Sequence, residues 1–330
     1  MTTIMEHIIN DRSLSTFHPI NSELQLNIQK NYLFDLSYLG IIDLVGEKSI
    51  DFLQGQLTCD LRLVSNSSMI QGAQCNLKGR ILSLLDVLDW QGVKLVLPQD
   101  LIELTQNSLT KTAQLSRVRI TPNNSYKVLG FLMQNTNDQI PVFPSLSNNL
   151  YAVSSTTHYC AYHLGKGFYI YLIPSDNYEN FCASFIENGQ FLGSLTWHTL
   201  RLFNNQIDIY PNSRGLFLPH RIGLHQTPYI SFDKGCYKGQ EIIARTHYRA
   251  IIKHELKKFV IQTDNNLYSG QKLFKPDENI ELGELLDYSL LDQNQFLIAV
   301  SALKESFSFV QFEGHTSITL GRAVEGAHIL

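Results

Sequence analysis

A cysteine set between two lysines, Cys236 with Lys234 and Lys238, lies in the stretch of this 330-residue chain richest in potential chemistry, SFDKGCYKGQEIIARTHYR from Ser231 to Arg249. Gly235 and Gly239 make poor material for a strand or helix interior and good material for a tight loop. From Gln240 the residues become helix-competent, with Glu241 one turn before Arg245. The pattern predicts a glycine loop feeding a short helix. A thiol at the mouth of a helix and beside ammonium groups is biased toward thiolate, the helix end alone contributing about 0.3–1 kcal/mol. Such a thiol reads as reactive or ligand-touching. A free cysteine also serves as a small apolar filler between close backbone segments, and spacing leaves both uses open.

Cations and aromatics nearby extend the possibilities. Between Lys234 and Lys258 stand seven Lys or Arg against two acids, a local basic band in a chain whose net charge is -4. That band reads as a solvated surface, as an anion-binding wall or as a patch for RNA. Trp197 sits on an amphipathic helix, where a tryptophan is ordinarily core, and Lys234, Lys238, Arg245 and Arg249 stand in the basic band. Trp90, the other tryptophan, falls in a predicted strand and reads as structural.

The octet Lys-Gly-Cys-Tyr-x-Gly-Gln-Glu, Lys234 to Glu241, resembles the signature of the YgfZ family, folate-binding relatives of the glycine-cleavage T-protein, an aminomethyltransferase. Two further blocks agree: Phe52-Leu53-Gln54-Gly55-Gln56-Leu57-Thr58 with Asp60, and Leu77-Lys78-Gly79-Arg80 after Cys75-Asn76. The resemblance covers roughly residues 30–330. It implies an α+β, three-domain T-protein-like fold, tetrahydrofolate or a derivative as cofactor, and an accessory role in assembling or repairing iron-sulfur enzymes, including those that modify tRNA. Those enzymes, assembly proteins and tRNA are the partners it implies.

The resemblance also distributes roles. It puts Trp197 in the folate pocket, with Lys234, Tyr237, Lys238, Gln240, Glu241 and Arg245 in or beside it, and makes Cys236 the functional thiol. Relatives carry a second pocket tryptophan where this chain has Tyr38-Leu39, so part of the stacking surface falls to Tyr38. In the T-protein a pair of aspartates follows the glycine turn; the matching positions here are Ser83 and Leu84. Neither side chain accepts a proton at neutral pH or stabilises an iminium, which argues against aminomethyl transfer. Asp86 shares a strand face with Leu84 but sits about 6.5 Å further along, and is not expected to substitute. Folate-dependent aminomethyl or methyl transfer and an RNA-binding scaffold remain the alternatives.

The elements that must position these residues follow from periodicity. Residues 1–29 carry few periodic apolar positions and a His18-Pro19 break, and are expected to form a loosely held arm. Residues 30–249 alternate strands and helices: Tyr32 to Leu36 and Gly40 to Val45 as strands, Ser49 to Leu57 as a helix, then strands between Met69 and Leu97. Strand-Pro-x-Asp-helix occurs twice, at Pro98-Gln99-Asp100 and at Pro174-Ser175-Asp176, which suggests two intertwined α+β halves. Asp176 and Glu179 are spaced as a capping box, Asn135 to Asn149 reads as a surface loop, and Leu195 to Asn204 as a helix. From residue 250 the texture is all-β, five short strands that suit a small C-terminal barrel.

Composition excludes several classes. Hydrophobic residues make up 44% and charged residues 17%, which is globular rather than disordered. No apolar run is long enough to cross a bilayer, and the opening residues lack a secretory h-region, so a cytoplasmic location is expected. Five cysteines without any Cys-x-x-Cys spacing argue against a zinc site or a sequence-local cluster, and no metal is expected.

Overall fold

A computed structural model describes residues 4–137, 146–276, 278, 280–304, 309–315 and 318–324. The opening residues are not a loose arm. Strands β1 (Met5–Ile9) and β2 (Arg12–Thr16) form a hairpin whose two-residue turn, Asn10-Asp11, has φ of 48° and 67°, the left-handed region that Asn and Asp tolerate best. Arg12 explains the order. Only 4% exposed, its guanidinium donates to Asp100 (2.9 and 3.0 Å), Asp208 (2.8 Å) and the Ile209 carbonyl (2.8 Å). One residue in a polar, aperiodic segment thus ties it to the middle of the protein.

After helix α1 (Ile20–Glu23), two sheets are built by the same grammar, antiparallel except for one parallel edge pair in the second. The first is five-stranded, order β5-β6-β7-β4-β8, from β4 (Leu39–Val45), β5 (Ile70–Cys75), β6 (Ile81–Asp89), β7 (Val93–Pro98) and β8 (Arg119–Asn123). Helix α2 (Ser49–Gln54) follows β4, and α3 (Ile102–Ala113) follows Pro98. The second is six-stranded, order β10-β11-β12-β9-β3-β13, from β3 (Tyr32–Asp35), β9 (Tyr126–Leu132), β10 (Val153–Ser155), β11 (Cys160–Gly165), β12 (Phe168–Pro174) and β13 (Phe191–Leu192). Helix α4 (Tyr178–Glu187) follows Pro174. In each sheet an antiparallel hairpin ends at a proline, passes through one 3-10 turn and enters a helix. The expected Asp176–Glu179 capping box does not form, because Asp176 lies within the 3-10 turn. Part of the expected loop over 135–149 falls outside the described residues.

Helix α5 (Ser194–Phe203) joins the parts, nine of its ten residues being buried. It packs on β2, on β3 and on the third unit. Glu23 holds its start, accepting hydrogen bonds from Gly193 N–H (3.0 Å) and the Thr196 hydroxyl. Helix α6 (Gln240–Arg249) then leads into a closed antiparallel barrel, β14-β17-β16-β15-β18-β19. Its strands are β14 (His254–Gln262), β15 (Lys272–Phe274), β16 (Glu281–Asp292), β17 (Gln295–Leu303), β18 (Phe309–Phe312) and β19 (Ile318–Ala323). Six strands replace the five expected, since Phe309–Phe312 is short and weakly alternating. A bulge in the β16–β17 ladder lies between Leu285 and Asp287, and Asp287 is wholly buried against α5.

Candidate functional site

The three sequence blocks meet at one surface. Ser231 N–H donates to the Thr58 carbonyl (2.9 Å), the Thr58 hydroxyl to the Tyr229 carbonyl (2.6 Å) and Lys238 N–H to the Gly55 carbonyl (3.1 Å). Gly239 has φ +86° and precedes α6; a Cβ there would run into the Asn76 carbonyl oxygen and lie 3.1 Å from Gly79 Cα. Gly79 is itself left-handed (φ +69°) and packs under Ile243. Glycine is therefore required twice, for conformation and for close approach.

The Lys234 side chain turns inward. It is 6% exposed, and its ammonium donates to the carbonyls of Leu57 (2.8 Å) and Cys59 (2.5 Å) and lies 5.1 Å from the Tyr237 ring centroid. Burial brings its pKa down to about 8. Lys234 and the buried Tyr237 anchor the loop. Lys238, Gln240, Glu241 and Arg245 lie at the outer surface around it, and Glu241 and Arg245 form no ion pair among the described residues. Cys236 is the one exposed thiol. Cys59, Cys75, Cys160 and Cys182 are buried, and burial pushes each of them up to about 12.

A second, interior region lies where the two sheets and α5 converge. Leu39, Leu84, Asp86, Arg201, Asp208 and Tyr229 are in the wall of a cavity of about 40 Å³. Tyr229 and Leu164 also belong to the wall of a cleft of about 690 Å³, which carries Gln71, Tyr151, His220, His225, His254 and Lys304. The cleft and the cavity thus share two wall residues.

Strand alternation decides which residues of β6 look inward. Ser83 is fully buried on the far face, near Gln74 Oε1 (3.4 Å) and the Thr105 hydroxyl (3.4 Å). Leu84 and Asp86 share the cavity face. The cavity face of β6 thus carries a carboxylate, Asp86. Asp86 accepts hydrogen bonds from Gln71 Nε2 (2.9 Å) and the Tyr162 hydroxyl (3.0 Å); burial pushes its carboxyl above the ordinary range despite those two donors.

Arg201 lies on α5 one turn beyond Trp197. Its Nη1 is 3.6 Å from Asp208, while its Nε–H is buried without a hydrogen-bond partner. Against the cost of burial, Arg201, Arg12 and His198 hold Asp208 below the usual carboxylate range. His198 reaches on to the Tyr288 carbonyl (3.1 Å) and Asp287 (3.5 Å), and Asp287 accepts from the Tyr210 hydroxyl (2.7 Å). The network runs from the cavity to the barrel.

Trp197 is placed differently from expectation. It is completely buried, with ring centroids 5.2 Å from Phe34 and 5.1 Å from Phe168, and its ring would lie 2.7 Å from a Cβ at Gly130. It is in the wall of neither the cleft nor the cavity, and neither is Cys236. Leu39 does reach the cavity, and Tyr38 is buried beside Arg12, 5.7 Å from its guanidinium to the ring centroid. The expected site residues thus divide among a surface loop, a core tryptophan and a cavity wall. Arg201, Asp208, Gln71 and Tyr229 were not anticipated. Only Arg201 leaves a trace in sequence, as the lone arginine in an otherwise uncharged helix.

The arrangement is that of a T-protein-like fold. It superposes with a TM-score of 0.76 on the crystal structure of glycine cleavage system aminomethyltransferase T from Bartonella henselae, at 12% identity over 100% of this chain and 95% of the other. Curated relatives named tRNA-modifying protein YgfZ align with most of the chain, and the resemblance carried by the cysteine block stands on them. The protein of that name from Vibrio atlanticus is 24% identical over 267 residues, 81% of this chain and 80% of its own. That from Colwellia psychrerythraea is 28% identical over 232 residues, 67% of this chain and 69% of its own. No family model matches the chain.

Proposed function

We propose that this protein binds a reduced folate at the inner end of the cleft and acts as an accessory protein in tRNA modification, by supporting iron-sulfur enzymes in the cytoplasm. The observation that carries the reading is the pair of opposite groups, the half-buried Asp86 carboxyl and the buried Arg201 Nε–H that lacks a partner, on residues in the wall of one cavity. An orphaned buried donor costs about 1–3 kcal/mol unless a ligand or water meets it. The cleft of about 690 Å³ has room for a folate, with Lys304 and His254 for its carboxylate tail, whereas the cavity of about 40 Å³ would admit only a polar edge of the ring, toward Asp86 and Arg201. A reduced folate supplies a nitrogen pair able to carry one carbon. The fold likeness and the relatives' name support the reading. Cys236, exposed on the loop, is the group a partner protein can reach.

Aminomethyl transfer is the second reading, and Asp86 is what favours it, since a carboxyl remains on the cavity face beyond Leu84. It requires turnover with an aminomethylated lipoyl protein, which Asp86→Asn would abolish.

Calorimetric titration with tetrahydrofolate tests the main proposal. Arg201→Met and Asp86→Asn are expected to weaken binding at least tenfold while the far-ultraviolet circular dichroism stays unchanged. Wild-type affinity in both folded variants would remove the ligand from this cavity. Trp197→Ala is a poor probe, because emptying a site of that size in the core costs about 3–5 kcal/mol of stability by itself. In cells, Cys236→Ser is expected to lower the activity of iron-sulfur tRNA-modifying enzymes, and full complementation would reduce Cys236 to a loop residue.

A further inference from the structure

A separate hollow of about 720 Å³ lies between the turn of the N-terminal hairpin and the loop before β15, a volume typical of small-molecule sites. Its wall holds four asparagines, Asn10, Asn212, Asn265 and Asn266, with the rings of Tyr268, Tyr288 and Phe296. Asp11 is the one charged residue in that wall, and it accepts a hydrogen bond from Asn212 Nδ2 (2.6 Å). No lysine, arginine or histidine stands there.

Asn10 points to a ligand. It is 8% exposed, its backbone N–H donates to the Tyr288 hydroxyl (3.2 Å), and its side-chain oxygen accepts from Ser269 N–H (2.8 Å). Because a backbone N–H can only donate, that bond fixes which end of the amide is oxygen. The Asn10 Nδ2 is then a buried donor without a partner. Tyr268, 48% exposed, presents a ring at the same hollow.

These features select a ligand class. Without a cation in the wall, and with a carboxylate at the rim, phosphates and carboxylates gain nothing here. An aliphatic guest would leave the asparagine amide unmet. A flat, uncharged ring with acceptors on its edge satisfies both the amide and the tyrosine, as asparagine amides do at base edges and aromatic rings do at base faces. We infer that the hollow built by Asn10, Asn265, Asn266 and Tyr268 binds a nucleobase, either as a free nucleoside or as an unstacked residue of an RNA.

Saturation-transfer NMR on the full chain with the four ribonucleosides, and with ribose alone, tests this. Transfer to base protons is expected for at least one nucleoside and not for ribose. Asn10→Asp keeps the oxygen that Ser269 requires and removes the donor, so calorimetry is expected to show binding at least fivefold weaker. Tyr268→Ala, at an exposed ring, is expected to weaken binding roughly tenfold with an unchanged melting temperature. Displacement of the nucleoside by unmodified tRNA identifies RNA as the source of the base, and its absence identifies the free nucleoside. No transfer at millimolar nucleoside, equal transfer to ribose, or indifference to both substitutions would overturn the assignment. So would displacement by tetrahydrofolate, which would make this hollow part of the folate site.

Discussion

The cysteine loop and the inner cavity use similar residue types to opposite ends. In the loop, Lys234 directs its charge at the protein's own backbone, Gly239 and Gly79 bring two chain segments into contact, and the thiol is left outside. In the cavity, charged groups are buried against each other, and Arg201 and Asp86 still face a space. The loop is a structure built to present one atom. The cavity is a structure built to receive something. The first is a contiguous loop seated on two distant blocks, whereas the second draws on β4, β6, α5 and the segment before the loop.

The largest way to break this contrast is at the hairpin. Arg12→Met leaves Asp208 and Asp100 without their main partner and is expected to cost about 3–5 kcal/mol, read as a lower urea midpoint. A loss below about 1 kcal/mol would mean that Arg201 and His198 neutralise Asp208 unaided.

Gly239→Ala is the corresponding break at the loop. Left-handed backbone and the clash with the Asn76 carbonyl together are expected to cost about 1–3 kcal/mol and to increase protease cleavage near residue 236. Wild-type resistance would show that the three blocks do not depend on one another.

The two regions should also separate by pH. Burial, with His225 and His247 adding to it, lowers the His220 pKa to about 4. The unfolded chain then binds the extra proton first, so stability is lost as pH falls from about 6.5 toward 4. Lys234 behaves in the alkaline range: below about 8 it is charged in both states, and stability rises as pH passes from about 8 to 10.5 because only the unfolded chain keeps the proton. His220→Phe should make the acid limb alone shallower and Lys234→Met the alkaline limb alone, measured as differences from wild type, since His225, His254 and Lys258 are lowered too. A variant that flattened both would show that the regions are coupled.

The smallest effect on stability is expected at the most exposed thiol. Cys236→Ser should change the unfolding free energy by less than about 0.5 kcal/mol, and a thiol reagent should label one cysteine of five in the folded protein and none in this variant. Labelling of two or more in the native state would break the division between one presented sulfur and four enclosed ones.

Sequence by itself determined the local pieces: the glycine loop before α6, the paired strand-proline-helix units, the all-β texture after residue 250, and the block whose likeness points to the family. Each depends on neighbours within a turn or two, where backbone preference and apolar period act directly. Tertiary structure alone decided that Lys234 faces inward, that Trp197 is core, that Asp86 rather than Ser83 looks into the cavity, and that Arg12 and Arg201 share Asp208. Those outcomes depend on which strand face meets which helix, and on residues nearly two hundred positions apart finding one another to bury their charge. No local pattern encodes that pairing, because the energy that enforces it exists only once the solvent has been excluded.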